Sequence, residues 1–118
     1  MVKKIFVYEI SSGFSSMLKR YYSDKIIIER SKETNFISQY YYEYEACFFL
    51  INNVRDYNIF ENVLKKIKTI FVITSVKLYE YKIETMQAHN VIILNFNDDI
   101  KKEMIKTINF NLELYKII

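Results

Sequence analysis

Chemistry in this chain has few residues to draw on. One histidine (His89), one cysteine (Cys47) and one glycine (Gly13) stand among 118 residues, with 14 aspartates and glutamates and neither proline nor tryptophan. A single thiol cannot close an intramolecular disulfide or build a cysteine-based zinc centre, and a lone histidine makes no common metal constellation. Loops of the GxGxxG or Walker type need several glycines, so nucleotide loops of that kind are excluded. No nucleophile, base and orienting group can be gathered from these residues, and we expect no enzyme activity, no metal and no cofactor. Cys47 opens an apolar run and reads as a small core residue, while His89 precedes another run and reads as a solvated loop residue.

The remaining candidates are polar residues placed by the pattern around them. Five β-rich apolar runs recur along the chain: Ile5-Phe6-Val7-Tyr8, Ile26-Ile27-Ile28, Cys47-Phe48-Phe49-Leu50-Ile51, Ile70-Phe71-Val72-Ile73 and Val91-Ile92-Ile93-Leu94. They are continuous rather than alternating, as strands of a parallel sheet covered by helices on both faces are. Repeated βα units with right-handed crossovers predict a three-layer α/β domain. Ligands of such sheets sit beyond the carboxyl ends of the strands. That end carries Glu9 and Ile10, Asn52 and Asn53, Thr74 and Ser75, and Asn95, a set that is polar but almost uncharged. Taken singly, Glu9 reads as a surface carboxylate and Thr74 as a hydroxyl satisfied at a strand end.

The segments between the runs have helical periods. Ser11-Ser12 precede a helix with Phe14, Met17, Leu18 and Tyr21 on one side. Ser31 is a cap candidate for a second helix through Phe36, Ile37 and Tyr40. Asn58 and Glu61 have capping-box spacing ahead of Ile59, Phe60, Val63, Leu64 and Ile67, with Lys65, Lys66 and Lys68 suited to the far end of the dipole. Val76, Tyr79, Ile83 and Met86 form a fourth stripe. The last helix is expected from near Asn97, with Asp98 and Asp99 in its first turn and Ile100, Met104, Ile108, Leu112 and Tyr115 inward. No linker or internal repeat divides the chain, and residues 1–118 read as one domain.

Order, length and strand-end residues together resemble the receiver domain of bacterial response regulators, over essentially the whole chain. Residues 4–9 (KIFVYE) are similar to the family's first strand leading into its acidic pair, and residues 48–52 (FFLIN) to the third strand leading to the phospho-accepting aspartate. Residues 70–75 (IFVITS) match best, because the family's fourth strand ends in a Thr or Ser followed by a small residue. The resemblance implies a flavodoxin-like three-layer sandwich, its five parallel strands ordered 2-1-3-4-5 with helices on both faces. It also implies where a phosphorylation centre would lie, and there the residues differ. The acceptor slot falls on Asn52, or on Asn53 or Ile51 with a slip of one, and none is a carboxylate. A neutral amide is a poor nucleophile, so no acyl phosphate is expected at that slot. The acidic pair is reduced to Glu9 with Ile10, too few oxygens to hold magnesium well. The lysine that follows the family's fifth strand is replaced within Asn95-Phe96-Asn97, the nearest being Lys101, so the clamp on a phosphoryl oxygen is missing.

A receiver-like module without phosphorylation acts through protein contacts, which makes off-core apolar residues informative. At 100° per residue Leu78 and Tyr81 fall opposite the stripe of the fourth helix, and Phe110, Leu114 and Ile117 off that of the last. The resemblance places both groups on the face of the fourth helix, fifth strand and last helix, the family's usual dimerisation surface, and predicts a homodimer through it. Tyr40, Tyr41, Tyr42 and Tyr44 are a second candidate surface, unless they reflect only the bias toward Ile, Lys, Asn, Tyr and Phe that AT-rich codons produce. A net charge of +3 without a basic block argues against a nucleic-acid partner. No apolar run approaches the roughly 18 residues of a membrane span, and no signal-peptide pattern opens the chain, so a cytoplasmic location without membrane contact is expected. Two alternatives stand beside this reading. The strand-end crevice could bind a small ligand through Glu9, Asn52, Asn53, Thr74 and Asn95, or phosphotransfer could persist on an off-register acid such as Asp56 in the loop after the third strand.

Overall fold

Each apolar run becomes a strand, and the sheet's edges show in how deeply each is buried. The computed structural model describes residues 3–22, 25–31, 43–96 and 101–118. Within them the order is β1 (Lys3–Tyr8), α1 (Gly13–Tyr21), β2 (Ile26–Ser31), β3 (Ala46–Leu50), α2 (Val54–Val63), β4 (Ile70–Ile73), α3 (Lys77–Met86), β5 (Val91–Ile93) and α4 (Lys101–Leu114). The strands form one sheet, ordered β2-β1-β3-β4-β5, and every neighbouring pair is parallel. The three inner strands are buried nearly throughout, as continuous apolar runs require. The edges are not: Ile27 of β2 is exposed and all three residues of β5 are half-buried.

Side chains along β1 alternate between two clusters, as the period of two dictates. Ile5 and Val7 join Phe48 and Phe71 with Leu18 beneath α1 and Ile105, Ile108 and Leu112 of α4. Phe6 and Tyr8 join Cys47, Phe49 and Val72 with Tyr57, Phe60 and Val63 of α2 and Ile83 of α3. Phe48 sits with its ring centroid 5.4 Å from Phe14 and 5.2 Å from Phe71, so truncating it to Ala is expected to cost about 3–5 kcal/mol. Cys47 is fully buried, and its thiol pKa is raised by loss of solvent. His89 is exposed in a turn before β5.

Several helix assignments shift. α2 begins with Val54 rather than near Asn58, because the Asn53 side chain accepts the Asp56 N–H at 2.9 Å and starts the helix there. The inward tyrosine is Tyr22, just past α1, whose hydroxyl donates to Asn109 Oδ1 at 3.0 Å, while Tyr21 is exposed. Tyr44 is a core residue, donating to Glu29 Oε2 at 2.8 Å and meeting Phe6 edge-on, and is no surface candidate. Ser31 is the last residue of β2, paired with Tyr8. The remainder of the expected second helix, Tyr40, Tyr41 and Tyr42, and the stretch from Asn97 to Ile100 lie outside the described residues. On α4, Ile105 replaces Tyr115 as an inward residue, and Tyr115 is largely exposed but touches Phe71 edge-on. Among the described residues no helix is long and apolar enough to cross a membrane.

Ile117 was expected off the core but is buried, at 3% exposure. The reason is the way α4 stops. Lys116 takes a left-handed conformation (φ 60°), the Ile117 N–H reaches back to the Leu112 carbonyl at 2.7 Å, and the Lys116 N–H reaches that of Glu113 at 3.0 Å. This is a Schellman stop, and it folds the residue after the left-handed position back onto the helix. Helical extrapolation past Tyr115 therefore gave Ile117 the wrong side. A side chain with a Cβ costs energy at that φ, and glycine does not. Lys116→Gly is expected to raise stability by about 0.5–1 kcal/mol, read as a higher urea midpoint with an unchanged slope, whereas Ile117→Ala should lower it by about 2–4 kcal/mol.

Candidate functional site

Among the described residues the carboxyl end of the sheet holds two buried carboxylates, and each is occupied by the chain itself. Glu9 follows β1 directly and is 1% exposed, not a surface group. Its Oε1 accepts the Ser15 N–H at 2.8 Å and its Oε2 the Phe14 N–H at 3.3 Å. These are amides of the first turn of α1, which have no partner inside the helix. Ser12 stands at the N-cap but its side chain makes no capping bond, so the acid three residues earlier takes that role. A negative charge there also complements the positive end of the helix dipole.

Asp56 is the second acid, and it is 0% exposed. It lies in the first turn of α2, not in a loop. Its Oδ1 accepts the Tyr8 hydroxyl at 2.9 Å and its Oδ2 the Asn52 N–H at 3.0 Å, while its own N–H goes to Asn53 Oδ1. Residues 53–56 thus form a displaced capping box: the Asn53 amide caps α2, and the acid at the third helical position reaches back one residue beyond the cap. Through Tyr8, whose ring stacks on Phe49 at 4.4 Å, the same carboxylate ties β1 to the β3–α2 junction. An acid that attacks phosphorus needs an oxygen free to approach it. Asp56 is fully buried, and each of its oxygens already accepts one hydrogen bond.

The other strand-end residues spread across the rim. The β3–β4 register pairs Leu50 with Ile73, so Asn52 and Thr74 lie just past the last paired rung. The side chains of Asn52, Asn53, Ser75 and Asn95 are exposed, as is Ile10, and Thr74 is half-buried with its Oγ1 accepting the Val76 N–H at 3.1 Å ahead of α3. The crevice expected to combine Glu9 with the amides is thus divided, because Glu9 is enclosed under α1 while the amides face outward. Among the described residues no group of three or more histidine, cysteine, aspartate or glutamate side chains is gathered so as to hold a metal ion.

On the helices toward the β5 edge, Leu78 (56%) and Tyr81 (65%) of α3 and Phe110 (63%) and Leu114 (57%) of α4 are exposed. The partnership of Tyr8 with Asp56 is not evident from either residue's type, but the Asn-x-x-Asp spacing directly after the third apolar run is a capping signal that could have located Asp56. No protein-family model matches this chain, and no curated protein matches it in sequence.

Burial raises the Tyr8 pKa to about 12, and the Asp56 bond adds to the effect; burial likewise raises Tyr22 to about 12. An unfolded tyrosine ionises near 10. Between about pH 10 and 12 the unfolded chain loses these protons while the folded chain keeps them, so stability is full below pH 10 and falls as pH rises through that window. Melting temperatures recorded from pH 8 to 11.5 should be level up to about pH 10 and then drop. Tyr8→Phe leaves Asp56 a bond short, which should cost about 1–3 kcal/mol at neutral pH while making the alkaline fall shallower.

Proposed function

We propose that this chain is a receiver-like signalling module of flavodoxin-like, three-layer build that acts by binding protein and does not accept a phosphoryl group. The observation that carries the reading is the use of Glu9 and Asp56 as internal caps. In a phosphorylating receiver, carboxylates at this end of the sheet hold magnesium and attack phosphorus. Here they bond to backbone amides and a tyrosine hydroxyl, and the resemblance puts the acceptor slot on Asn52, or on Asn53 or Ile51, none of them a carboxylate. The 2-1-3-4-5 parallel order supports the fold assignment, and the separate clusters of α1 with α4 and of α2 with α3 support helices on both faces of the sheet.

The exposed Leu78, Tyr81, Phe110 and Leu114 support an interface at the β5 edge, with a second copy of the chain as the simplest partner. Edge strand β5 is only three residues long, so side chains of the flanking helices rather than strand pairing would form the contact. Such a module works in the cytoplasm.

Two measurements test the reading. Incubation with acetyl phosphate and magnesium, followed by intact mass, should show no phosphoryl adduct, and an adduct removed by Asn52→Ala or Asp56→Ala would contradict the reading. Sedimentation velocity at tens of micromolar should show a dimer that Leu78→Lys/Phe110→Lys converts to monomer. Both side chains are exposed, so thermal stability should change by no more than about 0.5 kcal/mol per site. A monomer across the whole concentration range would refute the dimer.

A further inference from the structure

A groove of about 680 Å³ runs between α1 and α4, lined by other residues than those assigned to the protein interface. We infer that it binds a small amphipathic anion, a molecule with an apolar body and one anionic head. This goes beyond the proposed signalling role and does not depend on it.

The groove's walls follow from the two helices. Met17 and Tyr21 of α1 and Ile105 of α4 supply apolar surface, while Arg20, Lys101 and Lys102 stand around them as cations. Lys106, also at the groove, is paired with Glu103 at 3.4 Å. Among the described residues Arg20, Lys101 and Lys102 have no ion-pair partner and no acid lines the groove. A neutral apolar molecule would leave that positive field unanswered, and a hydrophilic anion would leave the apolar floor uncovered. The complement of both is one molecule with both characters.

Size and rigidity favour a small molecule over a protein segment. The volume lies within the roughly 300–1,000 Å³ of small-molecule sites, and the α1 wall from Gly13 to Tyr21 is only about 12 Å long at 1.5 Å per residue. The spacing of the walls is set by the Tyr22 hydroxyl bonded to Asn109 of α4, and the Tyr21 ring packs edge-on against Tyr22 at 4.8 Å. The head group must be met by side chains, because the first-turn amides of Phe14 and Ser15 in α1 are already bound to Glu9.

The test is a titration of the isotopically labelled full chain with decanoate, below its micelle concentration, followed through backbone amide shifts. Saturable shifts at Ser16, Met17, Arg20, Tyr21 and Ile105 are expected, with decanol and inorganic phosphate giving no saturable shift there. Lys101→Glu/Lys102→Glu should weaken decanoate about tenfold or more with little change in melting temperature, because both side chains are exposed. The inference is overturned by absence of saturation, by shifts confined to other surfaces, or by equal affinity in the charge-reversed variant. It is also overturned if phosphatidylglycerol vesicles or an acidic peptide shift these amides while decanoate does not, since the groove would then serve a membrane surface or a protein.

Discussion

Two carboxylates that end up inside the protein, Glu9 bonded to two backbone amides and Asp56 to one amide and a tyrosine hydroxyl, organise the carboxyl end of this sheet. Burying a charge is costly unless its hydrogen-bonding capacity is met, and the unpaired amides at a helix start are among the few groups able to meet it without a cation. Glu9 does this for α1. Asp56 meets the Asn52 N–H and the Tyr8 hydroxyl beside α2. Each acid thereby fastens a strand end to the helix that follows, so that features which could have made a reaction centre instead hold the crossovers in place.

The same bonds leave the rim polar and uncharged. Asn52, Asn53, Ser75 and Asn95 are exposed amides and a hydroxyl with no charge between them, and Glu9 and Asp56 are buried and hydrogen-bonded within the protein. Leu78 and Tyr81 of α3 and Phe110 and Leu114 of α4 are exposed, and a groove with Arg20, Lys101 and Lys102 lies between α1 and α4.

Much of the fold was legible in the sequence because hydrophobic period is a strong signal. Runs such as Phe48-Phe49 and Ile70-Phe71-Val72 could be buried only as inner strands, and the parallel 2-1-3-4-5 order agrees with the expectation. What failed was decided by a few tertiary bonds. Glu9 looked like a solvated acid because nothing in its neighbours announces that Phe14 and Ser15 will turn their amides toward it. Asp56 lies in a helix and not in a loop because Asn53, ahead of the Asn58 and Glu61 spacing, caps α2 first. Ile117 was placed outward because helical arithmetic does not know where a helix stops, and only the left-handed Lys116 turns the chain back. Leu78, Tyr81, Phe110 and Leu114 were placed correctly on the outside, since each lies within a regular helix where the arithmetic holds.

The central claim is that Glu9 and Asp56 are caps and not cation ligands. Titration of the labelled protein with manganese(II), read by paramagnetic broadening of backbone amides, addresses it directly. The account predicts that stoichiometric manganese leaves the amides of Glu9, Phe14, Ser15 and Asn52 no broader than those elsewhere on the surface. Selective loss of those four signals at low manganese, restored by excess magnesium, would contradict it.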